Sequence, residues 1–175
     1  MLKRTVMTLA TLSLFPLQSM AAMQCGPGLT HVNVNGNVTT VNVSETRQVG
    51  QICVTMIRPS NGREVFNDCG ALVGKVVSPV DATWRSTLKH TAVFDFRDIF
   101  VTRGDQAQIS PPPLAFDETG APCAFSVEEH ISEIEKGTGI FRGAQIAVTA
   151  TGSISFCPDH NLNTFTLQGE ACIRK

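Results

Sequence analysis

The sequence is poor in the groups that usually bind sugars or nucleic acids. It contains no tyrosine and a single tryptophan, Trp84, so aromatic platforms for stacking on sugar rings or bases are scarce. Only 17% of the residues are charged, the formal net charge is −1, and no basic stripe is present. A nucleic-acid partner and binding to an anionic membrane surface are therefore not expected.

Familiar catalytic and cofactor motifs are missing as well. The sequence lacks the Gly-x-Ser-x-Gly and His-Glu-x-x-His motifs, a phosphate-binding loop and a dinucleotide fingerprint. It also lacks a Cys-x-x-Cys pair, and only Cys157 and His160 bring a cysteine near a histidine. The sequence therefore predicts neither a cofactor nor a cysteine-based metal site.

The N-terminus resembles a secretory signal peptide. Lys3 and Arg4 precede an apolar run over residues 5–17, and small residues follow up to Ala21. The run is shorter than the roughly 20 residues of a membrane-spanning helix, and no later segment could span a membrane. We expect residues 1–21 to be removed on export, which leaves 22–175 as one secreted or periplasmic domain. A lipoprotein anchor at Cys25 is the alternative, although the residues before it fit a lipobox poorly.

Six cysteines follow the predicted cleavage site, and an even number in an exported chain favours disulfides. Asn61 lies in a turn signal midway between Cys53 and Cys69, so a hairpin would place these two cysteines opposite each other. The other pairings are less constrained, because six cysteines allow many connectivities. Proximity to a second turn and to the chain termini favours Cys123–Cys157 and Cys25–Cys172.

Alternating apolar and polar residues predict an all-β fold. Valines alternate with polar residues on both sides of Asn35-Gly36, which predicts a hairpin in a polar N-terminal ribbon outside the core. Further alternating runs and turns predict a single antiparallel β-barrel of about eight strands, with a sandwich as the alternative. The prolines in residues 110–113 exclude a central strand there and predict a loop as far as Pro122. The strand runs are residues 49–57, 65–77, 88–101, 124–134, 140–156 and 164–173.

One motif resembles a known family. The run Gly-Thr-Gly-Ile-Phe-Arg-Gly-Ala over residues 137–144 is similar to a signature of the dirigent and allene oxide cyclase barrels. The resemblance implies an eight-stranded, calycin-like barrel, often oligomeric, whose cavity holds a small apolar molecule and steers its cyclisation or coupling. The motif residues are Gly137, Gly139, Phe141, Arg142, Gly143 and Ala144.

The physical role of this motif is mainly architectural. Gly137 and Gly139 permit a tight turn between two strands. Phe141 is expected to plug one end of the barrel, and Gly143 and Ala144 to let neighbouring strands approach closely.

Asp95 and Arg97 are the first candidate site residues. Strand alternation places them on one face and Phe94, Phe96 and Phe100 on the other. If the Asp95 face lined the cavity, the two charged side chains could hold a carbonyl or carboxylate group. An exposed cross-strand ion pair of little energetic value is the alternative.

Glu129 is the second candidate. Alternation separates it from Glu128 and His130, a pair that suggests a general base or a metal ligand, and places it on the apolar face with Val127. A buried carboxylate is costly without a partner, and Arg142 is the partner we expect. A solvated barrel end is the alternative explanation.

Three hypotheses for function follow. The first is an exported barrel that binds a small apolar ligand. The second is an enzyme or steering protein of the dirigent and cyclase type, with Asp95, Arg97 and Glu129 as polar groups in the cavity. The third is a secreted interaction module without a ligand.

Overall fold

The computed structural model describes residues 23–174, so the predicted signal peptide lies outside the described residues. The fold is all-β, as predicted, and residues 23–174 contain ten strands and one 3₁₀ turn at Gly139–Phe141. The strands are β1 (Leu29–Ser44), β2 (Arg47–Ile57), β3 (Glu64–Ser78), β4 (Arg85–Val93), β5 (Ile99–Thr102), β6 (Asp105–Phe116), β7 (Pro122–Ile131), β8 (Ile134–Gly137), β9 (Gln145–Ser155) and β10 (Leu162–Arg174). Within residues 23–174, no helix has the length and apolar character needed to cross a membrane.

The strands form one antiparallel sheet, and the pairing of β3 with β4 turns its order into a circuit. Eight long strands make up the circuit, in the order β1, β2, β3, β4, β6, β7, β9 and β10, with β10 returning to β1. The narrowest link joins β4 to β6 through the pairs from Arg85–Gln108 to Leu88–Asp105. This arrangement agrees with the predicted barrel.

The two four-residue strands continue their longer neighbours. β5 and β6 both pair with β4, in registers that differ by one residue. β8 pairs with β5, and β7 pairs with β6, again in nearly continuous register. Residues 99–116 and 122–137 therefore act as two long strands, with register shifts near Arg103 and Glu135. Bulges change the direction of nearby side chains and are frequent beside functional sites.

The N-terminal segment is not the polar ribbon that the sequence predicts. The prediction of a hairpin at Asn35-Gly36 is wrong, because β1 runs through both residues and lies between β2 and β10. Val32 and Val34 are fully or almost fully buried in the core. A β-carbon on Gly36 would lie 2.3 Å from the Cys53 carbonyl oxygen, so this glycine permits close strand packing instead of a turn.

Two other segments also differ from their predicted form. The expected strand over residues 88–101 is divided, since the chain turns between Val93 and Ile99. β6 continues through the prolines, but its pairing with β7 is interrupted between Ser110 and Ala115. The prolines thus extend the strand without entering the hydrogen-bond ladder, because proline has no amide proton to donate.

Three disulfides connect the strands, and their pairings are those that the sequence favours. Cys53–Cys69 links paired positions of β2 and β3, Cys123–Cys157 links β7 to the segment after β9, and Cys25–Cys172 ties the N-terminal segment to β10. Three disulfides are consistent with an extracellular, oxidising environment.

Phe141 lies at the centre of an aromatic cluster in the larger core. Its side chain is 1% exposed, and its ring centroid lies 5.0 Å from that of Phe100, 5.6 Å from that of Phe94 and 5.8 Å from that of Phe66. Phe141, which the sequence predicts to plug one end of the barrel, is therefore a buried packing centre of the larger core.

The glycines of the motif have roles that differ in part from those that the sequence predicts. The turn between Gly137 and Gly139 leads into the 3₁₀ turn instead of directly into β9. A β-carbon on Gly137 would lie 2.0 Å from the Phe141 carbonyl oxygen, whereas one on Gly143 would have open space around it. Close packing thus requires Gly137, and Gly143 instead supplies a positive φ of 70°.

Candidate functional site

The interior of the barrel contains two apolar clusters. The larger cluster surrounds Phe141, and the smaller one consists of Leu88, Ala107, Ile109 and Val127 with partly buried neighbours. Several of the same strands carry buried polar side chains, most of which form two groups held by hydrogen bonds and ion pairs. The members of these groups are Thr40, Gln48, His90, Thr102, Asp105, Glu129 and Asn163. Buried Ser86 and Ser155 instead donate to backbone carbonyls.

His90, Asp105 and Glu129 form a compact cluster, which we call the acidic-histidine cluster. All three residues are at least nine-tenths buried, with relative exposures of 6%, 1% and 6%. The His90 Nδ1 atom lies 2.8 Å from Asp105 Oδ2 and 3.3 Å from Glu129 Oε1. One imidazole nitrogen thus faces two carboxylates in the protein interior.

Neighbouring strands hold this cluster in place. His90 comes from β4, Asp105 from the start of β6 and Glu129 from β7, so their backbones belong to paired strands. Thr102 is fully buried, its hydroxyl accepts a 2.8 Å hydrogen bond from the His90 amide, and the hydroxyl donates to Asp105 Oδ2. The bulge between Thr102 and Asp105 directs both side chains inward, because both are buried although an unbroken alternation would place them on opposite faces.

Burial and charge shift the pKa values of two members in the same direction. Burial lowers the pKa of His90, but the Glu129 carboxylate and the hydrogen bond to Asp105 outweigh this effect and raise it above its usual value. Burial raises the pKa of Glu129, the His90 charge opposes this, and Asp105 reinforces it. The cluster therefore holds protons more tightly than the same groups would in water.

Two oxygen atoms of the cluster have unused hydrogen-bonding capacity. Asp105 Oδ1 and Glu129 Oε1 are buried and accept no hydrogen bond. Buried carboxylate oxygens normally have partners, because removal from water is costly. The cluster thus has room for another cation or donor.

A second polar group lies beside the cluster. Gln48 Oε1 accepts hydrogen bonds from the Thr40 hydroxyl at 2.7 Å and from the Asn163 amide at 3.2 Å. Gly74 separates Gln48 from His90, since a β-carbon there would lie 2.8 Å from Gln48 Nε2 and 2.9 Å from His90 Nε2. A side chain at position 74 would therefore disturb both polar groups.

A cavity of about 240 Å³ opens beside Glu129. Its wall contains the whole smaller apolar cluster, and Gln48 and Ser86 add further polar groups. The connections from β1 to β2, from β3 to β4 and from β9 to β10 contribute Thr46, Val80 and Phe156 to its mouth. The cavity is therefore mainly apolar, and Glu129 is the one member of the acidic-histidine cluster in its wall. We call it the end cavity.

Asp95 and Arg97 belong neither to the acidic-histidine cluster nor to the wall of the end cavity. They are exposed residues of the turn between Val93 and Ile99, in which Asp95 Oδ1 accepts hydrogen bonds from the amides of Arg97 and Asp98. These hydrogen bonds lower the pKa of Asp95. Neither side chain lies in the wall of the end cavity, because the run that the sequence predicts as one strand turns here.

Glu129 lies where its pattern predicts, on the buried face of β7. Glu128 and His130 form an ion pair on the outer face, with His130 Nε2 3.1 Å from Glu128 Oε1. The expected partner Arg142 is exposed, and Glu129 instead faces His90.

His90 and Asp105 are the site residues that sequence reasoning missed. His90 alternates with buried Leu88 and Ala92 along β4, which is a usable signal for an inward-facing histidine. Asp105 gives no comparable signal, because it follows Arg103-Gly104 in a run typical of a surface turn.

Comparisons of the chain with protein-family models, with curated proteins and with solved structures found no match.

Proposed function

We propose that this protein is exported, loses residues 1–21 as a signal peptide, and binds a small, mainly apolar molecule in the end cavity. The single observation that carries the proposal is the cavity itself: apolar side chains form most of its wall, and Glu129 supplies a buried polar contact. Small-molecule sites commonly combine an apolar wall with a few fixed polar groups.

The dimensions of the cavity define the class of ligand. Its volume of about 240 Å³ is below the roughly 300–1,000 Å³ typical of drug-sized ligands, so the ligand is small. Leu88, Ile109 and Val127 favour a hydrocarbon skeleton. Glu129 and Gln48 favour a hydroxyl or carbonyl group at the inner end of the ligand.

Filling the cavity should weaken ligand binding. We expect 1-naphthol, a small fluorescent phenol, to bind the wild-type protein and to bind at least tenfold more weakly to Ala107→Leu. Ala107 is buried in the cavity wall, so a larger side chain occupies ligand space. Fluorescence titration measures both affinities.

The matched control is Ala147→Leu, which makes the same chemical change on an exposed residue of β9. Circular dichroism tests whether both variants are folded. If Ala107→Leu does not fold, Ile154→Phe serves as a second cavity-filling variant. Equal affinity of the wild type and a folded cavity-filling variant would contradict the proposal.

The second candidate is an enzyme or steering protein of the dirigent and cyclase type. A specific observation favours it: the acidic-histidine cluster brings acidic and basic groups together beside the end cavity. Groups of this kind can transfer a proton to or from a bound molecule. The resemblance of residues 137–144 to the signature of those barrels is a further argument.

Extraction of bound molecules distinguishes the two candidates. An enzyme should release product from the wild-type protein and unreacted substrate from Glu129→Gln, when both proteins are made in the same exporting host. A binding protein should release the same molecule from both. Chromatography with mass spectrometry separates these outcomes, even for isomers of equal mass.

A further inference from the structure

We propose that His90, Asp105 and Glu129 bind a divalent first-row cation, Zn²⁺ or Mn²⁺, inside the barrel. The inference goes beyond ligand binding in the end cavity and does not depend on it. It rests on the geometry, burial and charge of these three residues.

The spacing of the donor atoms fits such a cation. One nitrogen or oxygen atom from each residue lies within 4.8 Å of the others, and His90 Nδ1 is 2.8 Å and 3.3 Å from the two carboxylate oxygens. A cation about 2.1 Å from each ligand holds neighbouring ligands roughly 3.0–3.5 Å apart in octahedral or tetrahedral geometry. The two distances from His90 Nδ1 lie in or close to this range.

Two carboxylate oxygens of the cluster have no hydrogen bond, although Glu129 Oε1 lies 3.3 Å from His90 Nδ1. Asp105 Oδ1 and Glu129 Oε1 are buried without a hydrogen-bond partner in side chains that are at least nine-tenths buried. A purely structural ion pair gains nothing from leaving buried carboxylate oxygens without a hydrogen bond. A bound cation satisfies these carboxylates directly.

Charge balance favours a divalent cation. Two carboxylates and a neutral imidazole carry two negative charges, which one divalent cation neutralises. Within residues 23–174, no lysine or arginine forms an ion pair with Asp105 or Glu129. His90 is therefore the only basic side chain among the described residues that is paired with these two carboxylates, and a divalent cation supplies the charge that His90 alone cannot balance.

Hydrogen bonds from Thr102 hold two of the three proposed ligands in position, as contacts outside the coordination sphere do in metal sites. The Thr102 hydroxyl donates to Asp105 Oδ2 and accepts from the His90 amide, which fixes both ligands relative to each other. Such contacts outside the coordination sphere orient ligands and raise metal affinity. The ligands also lie on paired strands, which hold geometry better than loops do.

The donor set defines the chemical class of the ion. An imidazole nitrogen suits Zn²⁺ and carboxylate oxygens suit Mn²⁺, whereas Ca²⁺ prefers an all-oxygen site with more ligands. Glu129 belongs both to this set and to the wall of the end cavity, so a molecule in the cavity would lie beside the ion.

Metal titration tests the proposal with the disulfide-bonded, exported protein after chelator treatment and dialysis. Zn²⁺ alone and Mn²⁺ alone are titrated calorimetrically, and bound metal is counted by plasma mass spectrometry. We expect one equivalent of at least one ion to bind the wild type, and at least 100-fold weaker binding to Asp105→Asn and to Glu129→Gln. Binding should also raise the thermal midpoint of the wild type.

Glu128→Gln is the matched control, because Glu128 is adjacent to Glu129 but pairs with His130 on the outer face. It should bind the same ion with unchanged affinity. Failure of the wild type to bind a stoichiometric amount of either ion would overturn the proposal. Equal weakening by Glu128→Gln would also overturn it, since it would place the ion on the surface.

Folding of each variant is checked by circular dichroism, and either Asp105→Asn or Glu129→Gln suffices if the other does not fold. The two proposals fail separately. If Ala107→Leu loses 1-naphthol binding but the wild type binds no metal, only the proposal of ligand binding in the end cavity is supported. If the wild type binds metal but not 1-naphthol, only the proposed cation site is supported.

Discussion

Replacing Phe141 by alanine should lower the free energy of unfolding by about 3–5 kcal/mol, the usual cost of removing a buried phenylalanine side chain. Phe141 is 1% exposed and contacts three other phenylalanine rings, so the truncation leaves a void among groups that cannot easily collapse into it. Denaturant unfolding monitored by circular dichroism measures the change.

Phe96→Ala is the control for this prediction. It makes the same truncation in the turn between Val93 and Ile99, where the Phe96 side chain lies fully in solvent. We expect its free energy of unfolding to change by less than about 0.5 kcal/mol. Similar losses for the two variants would show that Phe141 is not a packing centre and would remove the structural role assigned to residues 137–144.

Removing the Cys25–Cys172 disulfide by substituting both cysteines with alanine should destabilise the protein by about 4–5 kcal/mol. This disulfide joins residues 147 positions apart, so its loss releases a long loop in the unfolded chain. It also frees the segment before β1 from fully buried Cys172 in β10. Denaturant unfolding of the double variant, with the other disulfides confirmed intact by peptide mapping, measures the loss.

The Cys53–Cys69 disulfide provides the comparison, because its sequence separation is only 16. In the loop-entropy description, a loop of that size contributes about 3 kcal/mol, less than the long one. A larger loss from removing Cys53–Cys69 than from removing Cys25–Cys172 would contradict the loop-length argument.

Local alternation predicted much of the sheet and the orientation of Glu129. The β7 pattern separates buried Glu129 from exposed Glu128 and His130, because adjacent side chains of a strand point to opposite faces. The Cys53–Cys69 pairing followed from the same regularity, since a simple hairpin register determines which residues face each other.

Errors arose where a glycine or a turn residue had another role. Asn35-Gly36 is a strong hairpin signal locally, yet Gly36 is needed because β2 packs too closely for a side chain. Alternation places Asp95 in a continuous strand, but the chain turns there and the hydrogen bonds of Asp95 itself stabilise the turn. Both errors come from tertiary contacts or side-chain hydrogen bonds that alternation does not describe.

The acidic-histidine cluster could be predicted only in part. Glu129 was recognisable as a carboxylate on an apolar face, but its partners come from strands distant in sequence, and no local pattern connects them. Asp105 was hidden by the bulge that directs it inward together with Thr102. Pairing registers, and hence the contact between His90 and Asp105, required the structure.

Native mass spectrometry of the protein purified from an exporting host is the most direct test of ligand binding in the end cavity. The protein is sprayed intact, then denatured, and the released molecules are identified. We predict a small, mainly apolar molecule with a hydroxyl or carbonyl group in the wild-type protein and in Ala147→Leu, and its absence from folded Ala107→Leu. A wild-type protein that carries no such molecule and also does not bind 1-naphthol would contradict ligand binding in the end cavity.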